Sequence, residues 1–324
     1  DGGWGTALAL LLNQHGHTVR VWSPFSDYVE TLNREHTNPL YLPGVKIPDS
    51  IRFTADRTEA VEKADLAVLA IPTKFYRSAL EPFAPLLPES CALVSVSKGL
   101  DPSAHCRMTE VAASIFPNHP VAALSGPSHA EEVARGLPTA VVIAIQNATL
   151  ARKLQHVFMG PRFRVYTSDD VPGVEYGGAF KNVIAIAVGA SDGIGFGDNT
   201  RAALITRGLA EITRLGCRLG AKPETFAGLS GMGDLIVTCT SHLSRNHNVG
   251  DRLGRGETLE TIVGGMKQVA EGVSNCGLVC DLARKVNIRV PIAEEVFALI
   301  HEHKNPLQAV QDLMTRDARP EKDS

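Results

Sequence analysis

Gly2-Gly3-Trp4-Gly5-Thr6-Ala7-Leu8-Ala9 stands at the head of the chain and decides how the rest is read. It reads as the end of a Gly-x-Gly-x-x-Gly loop running into a helix, with Gly2 and Gly5 as the second and third glycines. In such a loop the glycines permit a tight turn, let the backbone approach a pyrophosphate, and let the helix pack closely on its strand. The helix start adds unpaired N–H groups and a partial positive charge that suit phosphate. On local sequence alone, the plainer reading is a glycine-rich turn before a helix. The first glycine and its strand are expected upstream of Asp1, as roughly ten further residues.

The chain beyond this loop supports a nucleotide fold. Residues 18–22, 66–71, 92–96, 121–125, 139–145 and 163–166 read as strands, with helical patterns between them at 56–64 and 128–135. The runs at 66 and 139 are continuously apolar, as strands covered on both faces are. Alternation of this kind predicts an α/β fold, a doubly wound Rossmann-type parallel sheet. Beyond about position 175 the character changes to helical spacing at 199–219, 259–269, 276–285 and 292–302. The expected organisation is a dinucleotide-binding domain over 1–174 and an all-α substrate domain over 175–324, divided near Pro172-Gly173. Within the second, the glycine-rich stretch 189–198 is expected as an ordered loop, and the polar tail from Arg316 to Ser324 as frayed.

Composition bounds the function. The 324 residues are 44% hydrophobic and 21% charged, ordinary values for a globular protein. A net charge of −3 gives no reason to expect nucleic acid or an anionic membrane surface as partner. No apolar stretch approaches the ~20 residues that span a bilayer. Six cysteines at 91, 106, 217, 239, 276 and 280 read as reduced thiols, which favours a cytoplasmic location. Cys239, His242 and His247 suggest a metal only loosely, with no acidic ligands clustered near them, and no metal is expected.

Two lysines carry the chemistry. Lys98 lies in Ser97-Lys98-Gly99-Leu100 after a strand, and Lys181 lies in Phe180-Lys181-Asn182-Val183, where an apolar helix pattern begins. Hydride transfer to a ketone builds negative charge on an oxygen that must then receive a proton, and a lysine supplies both cation and proton. A second cation nearby helps it release that proton, and Asp234 in Gly231-Met232-Gly233-Asp234-Leu235 is available to hold one ammonium. Arg245 and Asn246, after Ser244, make a phosphate clamp, since Arg offers a planar fork of donors. Singly, each lysine reads as a solvated charge, and Arg245 as an exposed loop residue at a helix end. Ser125-Gly126-Pro127-Ser128 follows a strand and serves a ligand or an ordinary turn. Glu271, in Val269-Ala270-Glu271-Gly272, is ambiguous in the same way. The second strand ends Trp22-Ser23-Pro24-Phe25, without an acid until Asp27. NADP is therefore tolerated, within about tenfold of NAD in kcat/KM, although no Arg follows at once.

With these residues in view, the chain resembles the bacterial NAD(P)-dependent glycerol-3-phosphate dehydrogenases over essentially its whole length, from Gly2 to about Leu313. The resemblance is strongest over 177–187, 191–199 and 201–211, and continues through 231–235, 238–240 and 244–246. It implies reversible conversion of dihydroxyacetone phosphate to sn-glycerol 3-phosphate with NAD or NADP, feeding phospholipid synthesis, in a cytoplasmic homodimer. By that pattern Lys181 matches the general acid/base, and Lys98 a residue contacting both substrate and cofactor. Asp234, Ser244, Arg245, Asn246, Gly126 and Ser128 match substrate-site positions. Gly2, Gly3, Trp4, Gly5, Pro24, Ala130, Arg245, Val269 and Glu271 fall on the cofactor side. A 2-dehydropantoate reductase is the nearest rival enzyme, and a non-catalytic nucleotide sensor is the rival of another class.

Overall fold

The computed structural model describes residues 1–266, 268–318, 320 and 321. In chain order the elements are α1 (Gly3–Gln14), β1 (Val19–Trp22), α2 (Ser26–Glu35), β2 (Thr37–Asn38), β3 (Leu42–Lys46), β4 (Ile51–Thr54), α3 (Arg57–Val61) and β5 (Leu66–Leu69). Next come α4 (Tyr76–Leu80), β6 (Ala92–Ser95), α5 (Met108–Ile115), β7 (Val121–Ser125), α6 (Ala130–Ala134), β8 (Thr139–Ala144), α7 (Ala148–Phe158) and β9 (Phe163–Ser168). The remainder is helical: α8 (Val171–Ile194), α9 (Asp198–Arg218), α10 (Pro223–Phe226), α11 (Asp234–Thr240), α12 (Arg245–Gly254), α13 (Leu259–Gly264), α14 (Glu271–Lys285), α15 (Pro291–His301) and α16 (Pro306–Met314). Sheet domain followed by helical domain is therefore the architecture, and among the described residues no helix is long and apolar enough to cross a membrane.

The main sheet runs β5-β6-β7-β8-β9, while β1 pairs in parallel with β4, Trp22 opposite Thr54. One pair departs from the expected parallel sheet: β7 and β8 are antiparallel, Ala123 opposite Ala144. The cause is local. Gly126 adopts φ +138°, a conformation open to glycine, directly after β7, and the chain returns through the single short helix α6. Strands β2, β3 and β4 escape sequence reading: β2 is two residues long, β3 carries Pro43 and Gly44, and β4 has Arg52 exposed among buried neighbours instead of a continuous apolar run.

The helical domain differs from expectation at its centre. Residues 189–194 are not loop but the last turns of α8, and only 195–197 separate α8 from α9. The glycines there serve packing rather than flexibility. A Cβ on Gly189 would overlap the carbonyl of His247, and one on Gly250 the carbonyl of Ile186, so α8 and α12 cross backbone to backbone. Helix α8 also begins ten residues before Lys181, at Val171, where Asp170 Oδ1 accepts from Gly173 N at 3.0 Å. Its residues are buried on nearly every face, which removes the polar stripe by which a surface helix is recognised. Arg319 and Lys322–Ser324 of the tail lie outside the described residues.

Candidate active site

The site forms where the loop ends of β6 and β7 meet α8 and α11. Lys98 leaves the loop after β6 and donates from Nζ to Gly126 O at 2.8 Å, to Asp234 Oδ2 at 2.8 Å and to Ser128 Oγ at 3.4 Å. From the middle of α8, Lys181 donates to the other carboxylate oxygen, Asp234 Oδ1, and to Thr238 Oγ1 at 2.7 Å. Asp234 and Thr238 stand one helical turn apart on α11, so both face α8. Asp234 thus holds both ammonium groups, where the sequence suggested one. Two glycines of α8 make this approach possible. A Cβ on Gly178 would stand 2.8 Å from Ser125 Oγ, and one on Gly177 2.5 Å from Ser230 O.

Electrostatics follow from burial. The Lys181 side chain is 5% exposed and that of Asp234 1%, against 20% for Lys98. Burial drives Lys181 down to about 7; Asp234 pulls it up, and Lys98 pushes it further down. Burial alone would raise the Asp234 carboxyl, but Lys181 and Lys98 overrule it and hold it below the usual carboxylate range. Each lysine has three N–H donors. Lys98 places all of them on protein acceptors, whereas Lys181 makes two such bonds, to Asp234 and Thr238.

The remaining sequence candidates divide around this centre. Asn246, buried on α12, donates to Asn182 Oδ1 at 3.0 Å and accepts from Gly272 N at 2.9 Å. Asn182 in turn donates to Lys98 O at 3.4 Å, which connects Asn246 to the lysine centre through one intermediary. Ser244 acts as the N-cap of α12, its Oγ accepting from His247 N at 3.2 Å. Arg245 is the first residue of that helix, not a loop residue; it is exposed and donates to Val269 O at 2.8 Å. Glu271 gives both carboxylate oxygens to Thr73, accepting from its N–H at 3.1 Å and its hydroxyl at 2.6 Å. Among the described residues no group of three or more His, Cys, Asp or Glu side chains is placed to hold a metal ion. The Cys239 thiol is buried and pushed up to about 12, and His247 Nε2 meets Asp192 Oδ2 at 2.8 Å.

On the cofactor side, Gly2 caps α1, and the first intrahelical bond runs from Thr6 N to Gly2 O, leaving the N–H groups of Gly3, Trp4 and Gly5 ahead of the ladder. Open space surrounds Gly2, whereas a Cβ on Gly3 would meet Tyr41 O at 2.5 Å and Ala130 at 3.8 Å. Trp4 Nε1 is a buried donor without a partner among the described residues. Free donors around an open glycine suit a dinucleotide pyrophosphate. Pro24 is exposed just past β1.

Sequence reading missed Thr238, Asn182, Thr73 and His129. Burial, then the charges of Lys181 and Lys98, press the His129 imidazole below its ordinary value. Thr238 carried a usable signal, four residues after Asp234 on one helix, and Asn182 stands next to Lys181; Thr73 and His129 are brought in only by long-range packing.

A Rossmann-type sheet joined to a helical domain, with two lysines set on one buried carboxylate between them, defines a nicotinamide-dependent oxidoreductase of small carbonyl compounds. The families described as NAD-dependent glycerol-3-phosphate dehydrogenase N-terminus and C-terminus match residues 1–151 and 170–311. The chain belongs to this NAD-dependent glycerol-3-phosphate dehydrogenase family and is an NAD(P)-dependent enzyme. Glycerol-3-phosphate dehydrogenase [NAD(P)+] of Geobacter sulfurreducens is 48% identical over 324 residues, 99% of this chain and 97% of its own. The Streptomyces griseus enzyme of the same name is 47% identical over 323 residues, covering 99% and 96%. The crystal structure of glycerol-3-phosphate dehydrogenase from Coxiella burnetii superposes with a TM-score of 0.94 at 40% identity, covering 98% of this chain and 97% of that one. A 2-dehydropantoate 2-reductase from Methylococcus capsulatus, at TM-score 0.60 and 14% identity over 98% and 96%, shares the fold alone.

Proposed function

We propose that the protein interconverts dihydroxyacetone phosphate and sn-glycerol 3-phosphate, with Lys181 as general acid and base. The observation that carries this reading is the buried carboxylate of Asp234, gripped by both Lys98 and Lys181 at the edge of the dinucleotide domain. A bound NAD(P)H supplies the hydride. Lys181 offers its spare N–H to the ketone oxygen, stabilises the charge that develops there, and delivers the proton from Nζ. With its proton affinity brought to about 7, Lys181 is set for either direction near neutral pH. Lys98, tied to Gly126 and Ser128, adds positive charge and holds the substrate end of the cleft.

Arg245 and Asn246 bind the phosphate, with Ser244 fixing the start of α12 beneath them. Gly126, Ser128 and Asp234 complete the substrate wall. Gly2, Gly3, Trp4, Gly5, Pro24, Ala130, Val269 and Glu271, together with Lys98 and Arg245, line the cofactor cleft. Most of the dinucleotide cleft comes from 1–174 and most of the substrate wall from 175–324, with Gly126 and Ser128 crossing to the substrate and Arg245, Val269 and Glu271 to the cofactor. The product serves as the backbone for glycerophospholipids. The free thiols support a cytoplasmic setting, and the homodimer rests on family resemblance.

The test is oxidation of NADH and of NADPH by dihydroxyacetone phosphate, with ketopantoate as the competing substrate. Turnover of the phosphorylated ketone alone is expected. Preferential turnover of ketopantoate would overturn the reading.

A further inference from the structure

The end of β1 lacks the acid that discriminates against NADP, yet the sequence offers no basic residue there. The tertiary structure supplies one from elsewhere. Trp22, the last residue of β1, donates from Nε1 to Ala55 O at 3.2 Å and packs edge-on against Phe83 at 5.0 Å. Over that fixed indole lies the guanidinium of Arg57, 5.7 Å from the ring centroid. Arg57 is the first residue of α3, directly after the turn that follows β4, and the parallel pairing of Trp22 with Thr54 is what brings it to the end of β1. The glycine loop reaches the same place, since Ser23 Oγ donates to Asp1 Oδ2 at 2.8 Å.

The surrounding charges single out Arg57. Arg52 pairs with Glu59 at 2.7 Å, and Arg20 donates to the carbonyls of Glu59 at 3.1 Å and Glu62 at 2.7 Å. Arg57 is exposed and has neither hydrogen bond nor ion pair among the described residues. The acids around it are engaged. Asp56 caps α3 through Thr58 N at 2.8 Å, Glu59 accepts from Thr54 Oγ1 at 2.5 Å, and Asp1 is turned onto Ser23. A guanidinium held over an aromatic face leaves its N–H donors unspent, and they suit a doubly charged oxyanion.

We infer that Arg57 is the residue that takes the 2′-phosphate of NADP(H), so that cofactor preference is set by the start of α3 rather than by the residues following β1. The inference rests on the proposed dinucleotide site, and it adds a specificity residue that the β1 motif does not contain.

Titration calorimetry of the full chain with 2′,5′-ADP and with 5′-AMP, in wild type, Arg57→Gln and Arg57→Lys, isolates the 2′-phosphate from hydride chemistry. Wild type should bind 2′,5′-ADP the more tightly. Arg57→Gln should weaken 2′,5′-ADP by about tenfold or more, as expected for one charge-assisted contact, while 5′-AMP stays within about twofold. Arg57→Lys should retain part of the preference. In turnover, the KM for NADPH should rise in Arg57→Gln while kcat with NADH is unchanged. Equal 2′,5′-ADP affinity in wild type and Arg57→Gln, or no preference for it in wild type, overturns the inference. If wild type turns over dihydroxyacetone phosphate with neither cofactor, the functional reading fails instead, and the nucleotide titration still judges Arg57.

Discussion

Glu271 grips Thr73 with both carboxylate oxygens, at 3.1 Å to the backbone N–H and 2.6 Å to the hydroxyl, across 198 residues of chain. The first residue of α14 is thereby tied to the turn after β5, and the helical domain closes over the carboxyl end of the sheet, where Rossmann ligands lie. Next to it, Gly272 N continues the connection through Asn246 and Asn182 to the Lys98 carbonyl.

Removing that grip should cost stability. Glu271→Ala leaves the buried Thr73 hydroxyl unpaired, and hydrogen bonds to a charged acceptor contribute about 1.5–3 kcal/mol. Urea unfolding should register a loss of that order. An unchanged midpoint would mean that the two domains hold together without this clasp.

Lys181→Ala removes the proposed acid. A drop in kcat of about 10²–10⁴ is expected, with NADPH affinity measured by fluorescence titration unchanged. The pH profile should track the same group. Reduction of the ketone requires Lys181 protonated, so its rate should fall as pH rises through about 7, while oxidation of the alcohol, which needs the free amine, should rise over that range. Asp234 pulls Lys181 upward, so residual activity in Asp234→Asn should show this limb displaced to lower pH. Wild-type kcat in Lys181→Ala would take the residue out of the chemistry.

Arg245→Ala should act on binding. A phosphate contact made equally in ground and transition states appears in KM with kcat largely retained. Unphosphorylated dihydroxyacetone should then be a poor substrate for wild type and variant alike. Efficient use of it by wild type would place phosphate recognition away from α12.

Glu211 offers a test away from the site. Its carboxylate, 2% exposed on α9, accepts from Ile292 N at 3.0 Å and Ala293 N at 2.9 Å at the start of α15. Burial raises it from 4.5 to about 7, with the two N–H groups pulling the other way. Between those values the folded chain keeps a proton that the unfolded chain has lost. The stability this gives is complete below about 4.5 and disappears as pH rises through about 7. Urea titrations across that range should show the decline in wild type and a flatter curve in Glu211→Gln. A decline of equal slope in the variant would assign it to other groups.

What the sequence by itself determined is what near neighbours decide. Continuous apolar runs mark β5 and β8, helical spacing marks α9, and the strings around Lys181, Asp234 and Ser244–Asn246 carry the family and its chemistry. Local rules misled where packing overrode them. Gly189 and Gly193 read as loop because glycine weakens an isolated helix, yet here the missing Cβ lets α12 lie directly on α8. Only the tertiary structure decided that Asp234 serves two lysines, 136 and 53 residues away, that Glu271 holds Thr73, and that Arg57 reaches Trp22. Such pairings depend on chain closure and on burial that strips water from the partners, and neither is written in the spacing of residues along one element.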